Sequence, residues 1–96
     1  MAFRGTVYRL GTTQVAAYTS VATSISTAFA AGTNVVRVSA TTGAYIKFGS
    51  TPTAAATNSA YIKAGEPEYF VVTPGQKLSA IRTATNGTVT VTECSG

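Results

Sequence analysis

Few residues in this sequence have side chains that could do acid–base, nucleophilic or metal chemistry. The chain contains no His, and its three acidic residues are Glu66, Glu68 and Glu93, so it contains no Asp. A Ser–His–Asp triad is therefore impossible, and a metal site built from His and Cys clusters is excluded for a single chain. The sequence predicts a protein that is not an enzyme and that uses no metal, cofactor or small-molecule substrate.

Glu66 and Glu68 are the two carboxylates that could work as a pair. They flank Pro67 and fall on the same side of an extended strand, about 6.6 Å apart by the strand rise. A glycosidase-like pair must hold a sugar between its two carboxylates, and this requires a cleft that so small a domain can hardly form. We favour a solvated entrance to a strand over a catalytic pair.

A six-residue motif occurs twice, as AYIKFG at 44–49 and as AYIKAG at 60–65. Side chains alternate between the two faces of an extended strand, so Ile46 and Ile62 are expected to point toward a core. The side chains on the opposite faces of the two copies are Tyr45, Lys47, Tyr61 and Lys63. One interpretation of the motif is a pair of adjacent strands in which similar environments select similar residues.

The other interpretation of the motif is a contact patch for a partner. Tyrosine offers a large contact area at low entropy cost and is enriched in protein interfaces, and the lysine stem can lie along a neighbouring ring. The same rings could stack on a sugar, although the chain has no Trp and no Asp to hold sugar hydroxyls. We predict a protein interface at Tyr45, Lys47, Tyr61 and Lys63 and keep glycan binding as the alternative.

The elements that position these residues are predicted by an alternation of apolar and polar residues from residue 34 onward. Such alternation is typical of strands with one buried face, and the β-branched residues suit that surface. The strands are expected over 34–40, 44–49, 68–72 and 87–93. Their predicted core residues are Val36, Val38, Ala40, Ile46, Phe48, Phe70, Val72, Val89 and Val91.

The segment 76–84 departs from the alternation, because Leu78 and Ile81 fall on opposite faces of a regular strand. Either a bulge interrupts this strand or both of its faces are covered. Turn signals separate the predicted strands at intervals typical of a sandwich or a small barrel. At Pro74–Gly75 and Asn86–Gly87 we expect tight turns in which the glycine adopts a positive φ.

The first third of the chain has a weaker pattern. Short strands are expected over 7–10, 13–20 and 24–32; a helix over 14–31 is the less favoured alternative, because Thr and Ser lower helix propensity. Residues 1–12 have apolar side chains without the spacing of a core element, so we predict an extended N-terminal arm that precedes a single β-sandwich domain over 13–96. The arm residues expected to grip a neighbouring protein are Phe3, Arg4, Tyr8 and Arg9.

The charge of the chain argues against a nucleic-acid partner. The net charge is +4, and the basic residues are scattered singly rather than clustered into a patch. A mildly basic surface suits an acidic protein partner equally well. Charged residues make up only 10% of the sequence, well below the usual quarter, as expected for a protein that packs against neighbours.

Membrane and secretory signals are not expected from the sequence. The start MAFRGTVYRL lacks the apolar region of a signal peptide, and the longest Ala-rich apolar stretch, near 28–31, is too short to span a bilayer. The single cysteine, Cys94, cannot form an intrachain disulfide and is expected to be a weakly buried or exposed terminal thiol. We predict a soluble protein that folds in a reducing cytoplasm.

The run 36–93 resembles a group of short proteins from tailed bacteriophages and prophages. The shared motifs are a strand that ends in FG, then PTA, a second Tyr/Ile strand that ends in AG, PEYF, PGQK and a closing GTVxVTE. These motifs are turn and core signals, and the first third of the chain does not take part in the resemblance.

The resemblance implies a small antiparallel β-sandwich, jelly-roll-like, with about seven to eight short strands. It also implies a virion component: a capsid decoration or cement protein that clamps neighbouring capsid subunits. The implied partners are the major capsid protein or another virion protein, together with further copies of the chain, and the implied location is the virion, assembled in the host cytoplasm. A tail- or fibre-tip module that binds a receptor or glycan, or a head–tail connector component, is the alternative.

Overall fold

The computed structural model of the chain describes residues 9–55 and 59–95. This part of the chain forms eight strands and no helix. In chain order the strands are β1 Arg9–Tyr18, β2 Thr23–Ser24, β3 Val35–Ala40, β4 Ala44–Gly49, β5 Ala60–Ile62, β6 Glu68–Val71, β7 Lys77–Arg82 and β8 Gly87–Ser95. Nowhere in the described ranges does a helix occur that could cross a membrane.

The eight strands form two four-stranded sheets in which every pairing is antiparallel. The strand order is β1-β8-β3-β6 in the first sheet and β2-β7-β4-β5 in the second sheet. The predicted all-β fold with seven to eight strands is confirmed. The alternative of a helix over 14–31 is wrong, since β1 and β2 lie in this stretch.

The two sheets bury their facing sides in one shared core, which makes the arrangement β-sandwich-like. Buried residues of the first sheet, such as Val38 and Val91, belong to the same apolar cluster as Ile46 and Leu78 of the second sheet. Burying a side chain of this size stabilises the fold by about 1.5–3 kcal/mol relative to leaving it exposed. The apolar side chains buried between the two layers therefore contribute to the stability of the sandwich.

Three phenylalanine rings contact one another in or beside the core. Phe48 of β4 lies between two other rings, with centroid distances of 6.1 Å to Phe29 and 5.6 Å to Phe70 of β6. Phe29 is buried although it lies outside any strand. The three rings connect β4 in the second sheet to β6 in the first sheet and to the segment that follows β2.

The inner faces predicted for β3, β4, β6 and β8 are confirmed, although Thr92 on the outer face of β8 is buried as well. Val36, Val38 and Ala40 of β3 are buried, and the side chains between them are half-buried on the outer face. Val89 and Val91 of β8 are likewise buried and face the core. The period of two in the sequence therefore gave the correct inner face for these strands.

The irregular strand β7 is covered on both faces rather than bulged. Its pairing with β4 runs from Ala44↔Arg82 to Gly49↔Lys77 without a shift of register. Leu78 faces the core, whereas Ser79 faces outward and is nevertheless buried. The cover comes from the segment after β4, where the backbone N–H of Ala54 donates to Ser79 Oγ at 3.0 Å.

The segment 24–32 lies alongside β7, but it does not form a strand over its predicted length. Only Thr23–Ser24 pairs as a strand. Beyond it, the N–H of Ile25 donates to the carbonyl of Leu78 at 3.0 Å, and the N–H of Phe29 donates to that of Gln76 at 2.8 Å. These two bonds anchor a non-strand segment whose apolar side chains still reach the core.

One of the two predicted glycine turns is correct and the other is wrong. Gly75 has φ +88°, as expected for the tight turn after Pro74. Gly87 does not have a positive φ, because it is the first residue of β8. It is glycine for a different reason: a Cβ at this position would lie 2.6 Å from Tyr18 Oη and 2.7 Å from Thr41 Oγ1.

Candidate functional site

The two copies of the repeated motif lie next to each other as strands β4 and β5 of the second sheet. Their antiparallel register pairs Ala44 with Ile62 and Tyr45 with Tyr61. Ile46 and Ile62 are buried in the core, as the alternation predicted. The interpretation of the motif as an adjacent strand pair is confirmed.

This register brings the two tyrosine rings into direct contact on the outer face of the second sheet. The ring centroids of Tyr45 and Tyr61 are 6.0 Å apart at an interplanar angle of 65°, an edge-to-face geometry. Such pairs contribute about 0.5–1.5 kcal/mol beyond their buried area. Tyr45 is half-buried, whereas Tyr61 is 55% exposed. One ring is therefore anchored in the sheet and holds the other, exposed ring in place.

The absence of a side chain at Gly43 leaves space for the exposed Tyr61 ring. A Cβ on Gly43 would lie 2.9 Å from Tyr61 Oη, so the end of the Tyr61 ring rests over the backbone of Gly43. On the opposite side of the tyrosine pair, Ile81 of β7 is the register partner of Tyr45 and is half-buried. Tyr61, Tyr45 and Ile81 thus form one row across β5, β4 and β7.

The two lysines of the motif lie on opposite sides of the tyrosine pair, because the strands run in opposite directions. Lys47 is half-buried and pairs in register with Ser79 of β7. Lys63 follows the end of β5, and its Nζ lies 3.4 Å from Glu66 Oε2 with both side chains exposed. An exposed ion pair of this kind adds little stability. We call Tyr45, Lys47, Tyr61 and Lys63 together the tyrosine face.

The predicted arm residues are placed only in part. Phe3, Arg4 and Tyr8 lie outside the described residues. Arg9 is the exposed first residue of β1 and pairs with Ser95 of β8. Of the predicted arm over 1–12, residues 9–12 thus belong to a strand of the first sheet.

Glu66 and Glu68 do not form a cleft. Both are exposed: Glu66 faces Lys63, and Glu68 is the first residue of the edge strand β6. Within the ranges that the structure describes, no group of three His, Cys, Asp or Glu residues is placed to hold a metal ion.

A row of apolar residues on the outer face of the first sheet was not predicted; its two ends are exposed, whereas Val35 is half-buried and Cys94 is buried. Pairing through β8 and β3 places Leu10, Cys94, Val35 and Val71 in one row across all four strands. Leu10 is 58% exposed and Val71 is 86% exposed at the two ends of this row. The alternation already directs Val35 and Val71 outward, but only the register, which the sequence does not reveal, aligns the four residues.

Cys94 is buried, so the expectation of a weakly buried or exposed terminal thiol is wrong. β8 continues to Ser95, and this extension places Cys94 between Leu10 of β1 and Val35 of β3. Burial raises the pKa of the Cys94 thiol above its ordinary value, and a backbone hydrogen bond and the charge of Arg37 oppose that rise only in part. A protonated thiol is a weak nucleophile.

An open pocket of about 280 Å³ adjoins this thiol, at the irregularity in the pairing of β1 with β8. Its lining includes Gly11, Thr33, Glu93 and Cys94. The Thr33 hydroxyl donates a short hydrogen bond of 2.5 Å to Glu93 Oε1. Glu93 is the one acidic residue in this lining, and its carboxylate accepts this hydrogen bond.

Comparison of the chain with protein families, with curated proteins and with solved structures finds no match in any of the three.

Proposed function

We propose that this chain is a non-enzymatic structural protein of a phage particle, a capsid decoration or cement protein that binds neighbouring capsid subunits. The observation that carries the proposal is the tyrosine pair: an exposed ring, Tyr61, that contacts Tyr45 of the adjacent strand edge-to-face. Its partner is the major capsid protein or another virion protein, and its location is the virion. No metal, cofactor, nucleic acid, membrane or small-molecule substrate takes part in this function.

We infer that the sandwich is a jelly roll. In a jelly roll, eight strands form two sheets through two Greek-key connections. Successive strands of this chain cross between the sheets at every step except from β4 to β5, and the first and last strands pair with each other. The strand orders β1-β8-β3-β6 and β2-β7-β4-β5 support this topology. Jelly rolls occur in viral capsid proteins and in lectins, so the fold is compatible with the proposed role.

The chemistry of the tyrosine face suits a protein partner. Aromatic residues dominate the energetically important centres of protein interfaces, where truncation of one side chain typically costs more than 1 kcal/mol. The two rings are preorganised, so little side-chain entropy is lost when a partner covers them. Lys47 flanks the rings on one side and favours an acidic group on the partner, whereas Glu66 already lies beside Lys63 on the other side.

Repetition of identical sites on a particle explains how a small interface could stabilise the shell. A particle surface presents many copies of one site in a fixed arrangement. When one bound chain contacts two neighbouring subunits, the second contact is effectively intramolecular, so modest affinities multiply. A chain of 96 residues therefore needs no large interface to stabilise a shell.

The decisive variant is Tyr61→Ala. We expect this substitution to weaken binding to particles assembled from the major capsid protein encoded beside the gene by at least about tenfold, which corresponds to about 1.4 kcal/mol. The reason is that it removes the exposed ring while leaving the core residues of β5 in place. Co-sedimentation of purified chain with these particles measures the effect.

The matched control is Tyr69→Ala, because Tyr69 is 49% exposed on the first sheet, close to the 55% of Tyr61. This control is expected to bind like the unaltered chain. If the unaltered chain does not bind the particles, or if both variants bind as well as it does, the proposed docking surface is wrong. A gene neighbourhood without capsid or tail genes would also contradict the proposed class.

A glycan-binding module at a tail or fibre tip is the second candidate, because jelly rolls also occur in lectins and the exposed Tyr61 ring could stack on a sugar. The same two variants separate the candidates. A glycan-array signal that is lost in Tyr61→Ala and kept in Tyr69→Ala, without particle binding by the unaltered chain, would favour the second candidate.

A further inference from the structure

The four edge strands of the two sheets differ sharply in how they are protected. Edge strands expose backbone N–H and C=O groups that can pair with another chain, and proteins usually keep such strands short or guard them with Pro or charge. β2 has two residues and β5 has three. β6 has four residues, follows Pro67 and begins with Glu68. Three of the four edges therefore offer little to a partner strand.

The fourth edge strand, β1, is the exception. With ten residues it is the longest strand of the described chain, and β8 is its one strand partner there. It contains no Pro, and its only charged residue is Arg9 at its first position. The irregularity at Gly11 and Thr12 distorts one end, so the regular part of the unguarded edge runs from Thr13 to Tyr18.

One side chain of β1 ties a neighbouring segment to this strand. The Gln14 side chain accepts from the N–H of Thr27 at 3.1 Å and donates to its carbonyl at 2.8 Å. The segment after β2 is thus tied to a side chain of β1 rather than added to the sheet as a further strand. Val15, in the middle of β1, points to the outer face of the sheet and is 63% exposed.

We propose that β1 pairs antiparallel with β1 of a second copy of this chain, which joins the two first sheets into one continuous sheet of eight strands. A strand that pairs with itself about a two-fold axis is self-complementary. An axis at Val15 sets the exposed Val15 side chains against each other and pairs Thr13 with Ala17 of the partner strand. The two Arg9 residues then lie far apart at opposite ends, so no like charges meet.

The side chains in the regular part of the β1 edge are uncharged, and this favours pairing with a second copy of the chain over pairing with a charged partner. The outward side chains of the regular part are Thr13, Val15 and Ala17, which are small or β-branched and suit cross-strand contact. Their neighbours on β8 are Thr92, Thr90 and Thr88, which carry no charge that would require an opposite charge on the partner.

The position of this edge leaves the tyrosine face free. β1 lies beside β2 at one flank of the sandwich, whereas β5 and β6 lie at the other ends of their sheets. A dimer through β1 therefore presents two tyrosine faces to the outside, and its existence does not depend on the proposed function.

The test is sedimentation equilibrium of the purified full chain and two charged variants. Because a strand-edge contact covers less than the standard area of about 800 Å² per partner, we expect a dimer with a dissociation constant on the order of 10 µM. Val15→Lys places two like charges at the axis and should weaken the dimer at least about tenfold. Val71→Lys, on the opposite edge strand β6, is the control and should leave the dimer unchanged. Circular dichroism checks that both exposed-site variants keep the β fold.

Disulfide cross-linking tests the same dimer without introducing a charged side chain. Val15→Cys in a Cys94→Ala background should form a disulfide-linked dimer on mild oxidation, whereas Val71→Cys in the same background should not. The proposal is overturned if the unaltered chain stays monomeric at about 200 µM, well above the expected constant. It is equally overturned if Val71→Lys rather than Val15→Lys disrupts the dimer, or if a dimer appears only after removal of residues 1–8. The last outcome would mean that the chain's own first residues occupy the edge.

Discussion

Tyr18 connects the end of β1 to the turn between β3 and β4 through its hydroxyl group. It is fully buried at the end of β1. Its hydroxyl donates to the carbonyl of Thr42 at 2.7 Å and accepts from the N–H of Thr42 at 3.1 Å. Thr42 in turn donates through its own hydroxyl to the carbonyl of Thr85 at 3.0 Å. One buried tyrosine thus ties β1 to the β3–β4 turn, and Thr42 continues the link to the β7–β8 turn.

Cys94 leads to a prediction at the same scale. Because burial raises its pKa in the folded state, the unfolded chain ionises this thiol first as the pH rises. The contribution to stability is fully present below the ordinary thiol pKa of about 8.5 and is lost as the pH rises toward the folded pKa, by at most about 1.4 kcal/mol per pH unit. Urea unfolding between pH 7 and pH 10 should therefore show a steeper loss of stability for the unaltered chain than for Cys94→Ala. Equal pH slopes in the two proteins would contradict this prediction.

At the scale of elements, the sequence predicts the faces of strands well and their pairing poorly. Alternation gives the inner residues of β3 and β8 because the period of two is a local property of an extended chain. Register depends on partners that are distant in sequence, as in the row from Leu10 through Cys94 and Val35 to Val71. The burial of Cys94 and the cover over Ser79 could not be predicted for the same reason.

For the tyrosine face, too, the sequence predicts the direction of the side chains but not the register that brings them together. The repeat predicted that its tyrosines point away from the core, and both lie on the outer face of the second sheet. The contact between the two rings follows only from the antiparallel register of β4 with β5. That register also moves Lys47 and Lys63 to opposite sides of the pair.

Gly87 tests how the start of β8 is packed against the end of β1. An added Cβ would lie within 3 Å of both Tyr18 Oη and Thr41 Oγ1, so these side chains must shift and the hydrogen bonds of the buried Tyr18 hydroxyl are disturbed. We expect Gly87→Ala to lower the free energy of unfolding by about 1–3 kcal/mol, the usual cost of overpacking, as measured by urea denaturation. Gly32→Ala is the control, since its Cβ would meet nothing within 4 Å. A Gly87→Ala protein as stable as the control would show that this close approach does not constrain the fold.

At the scale of the whole molecule, the two proposed contacts occupy different parts of the surface. The outer edge of β1, which has no second strand partner among the described residues, lies at one flank of the sandwich, and the tyrosine face spans β4 and β5 toward the other flank. A dimer through β1 would carry two outward-facing tyrosine pairs, so each dimer could bridge two sites on a particle. Such bridging increases effective affinity without any new contact chemistry.

Hydroxyl-radical footprinting of the chain, free and bound to particles of the major capsid protein, tests the docking surface most directly. Tyr69 serves as an internal reference, because its exposure is similar to that of Tyr61 and it lies on the other sheet. Binding through the tyrosine face predicts that oxidation of Tyr61 falls several-fold on the particle while oxidation of Tyr69 stays unchanged. Protection of Tyr69 with Tyr61 still fully reactive would contradict it.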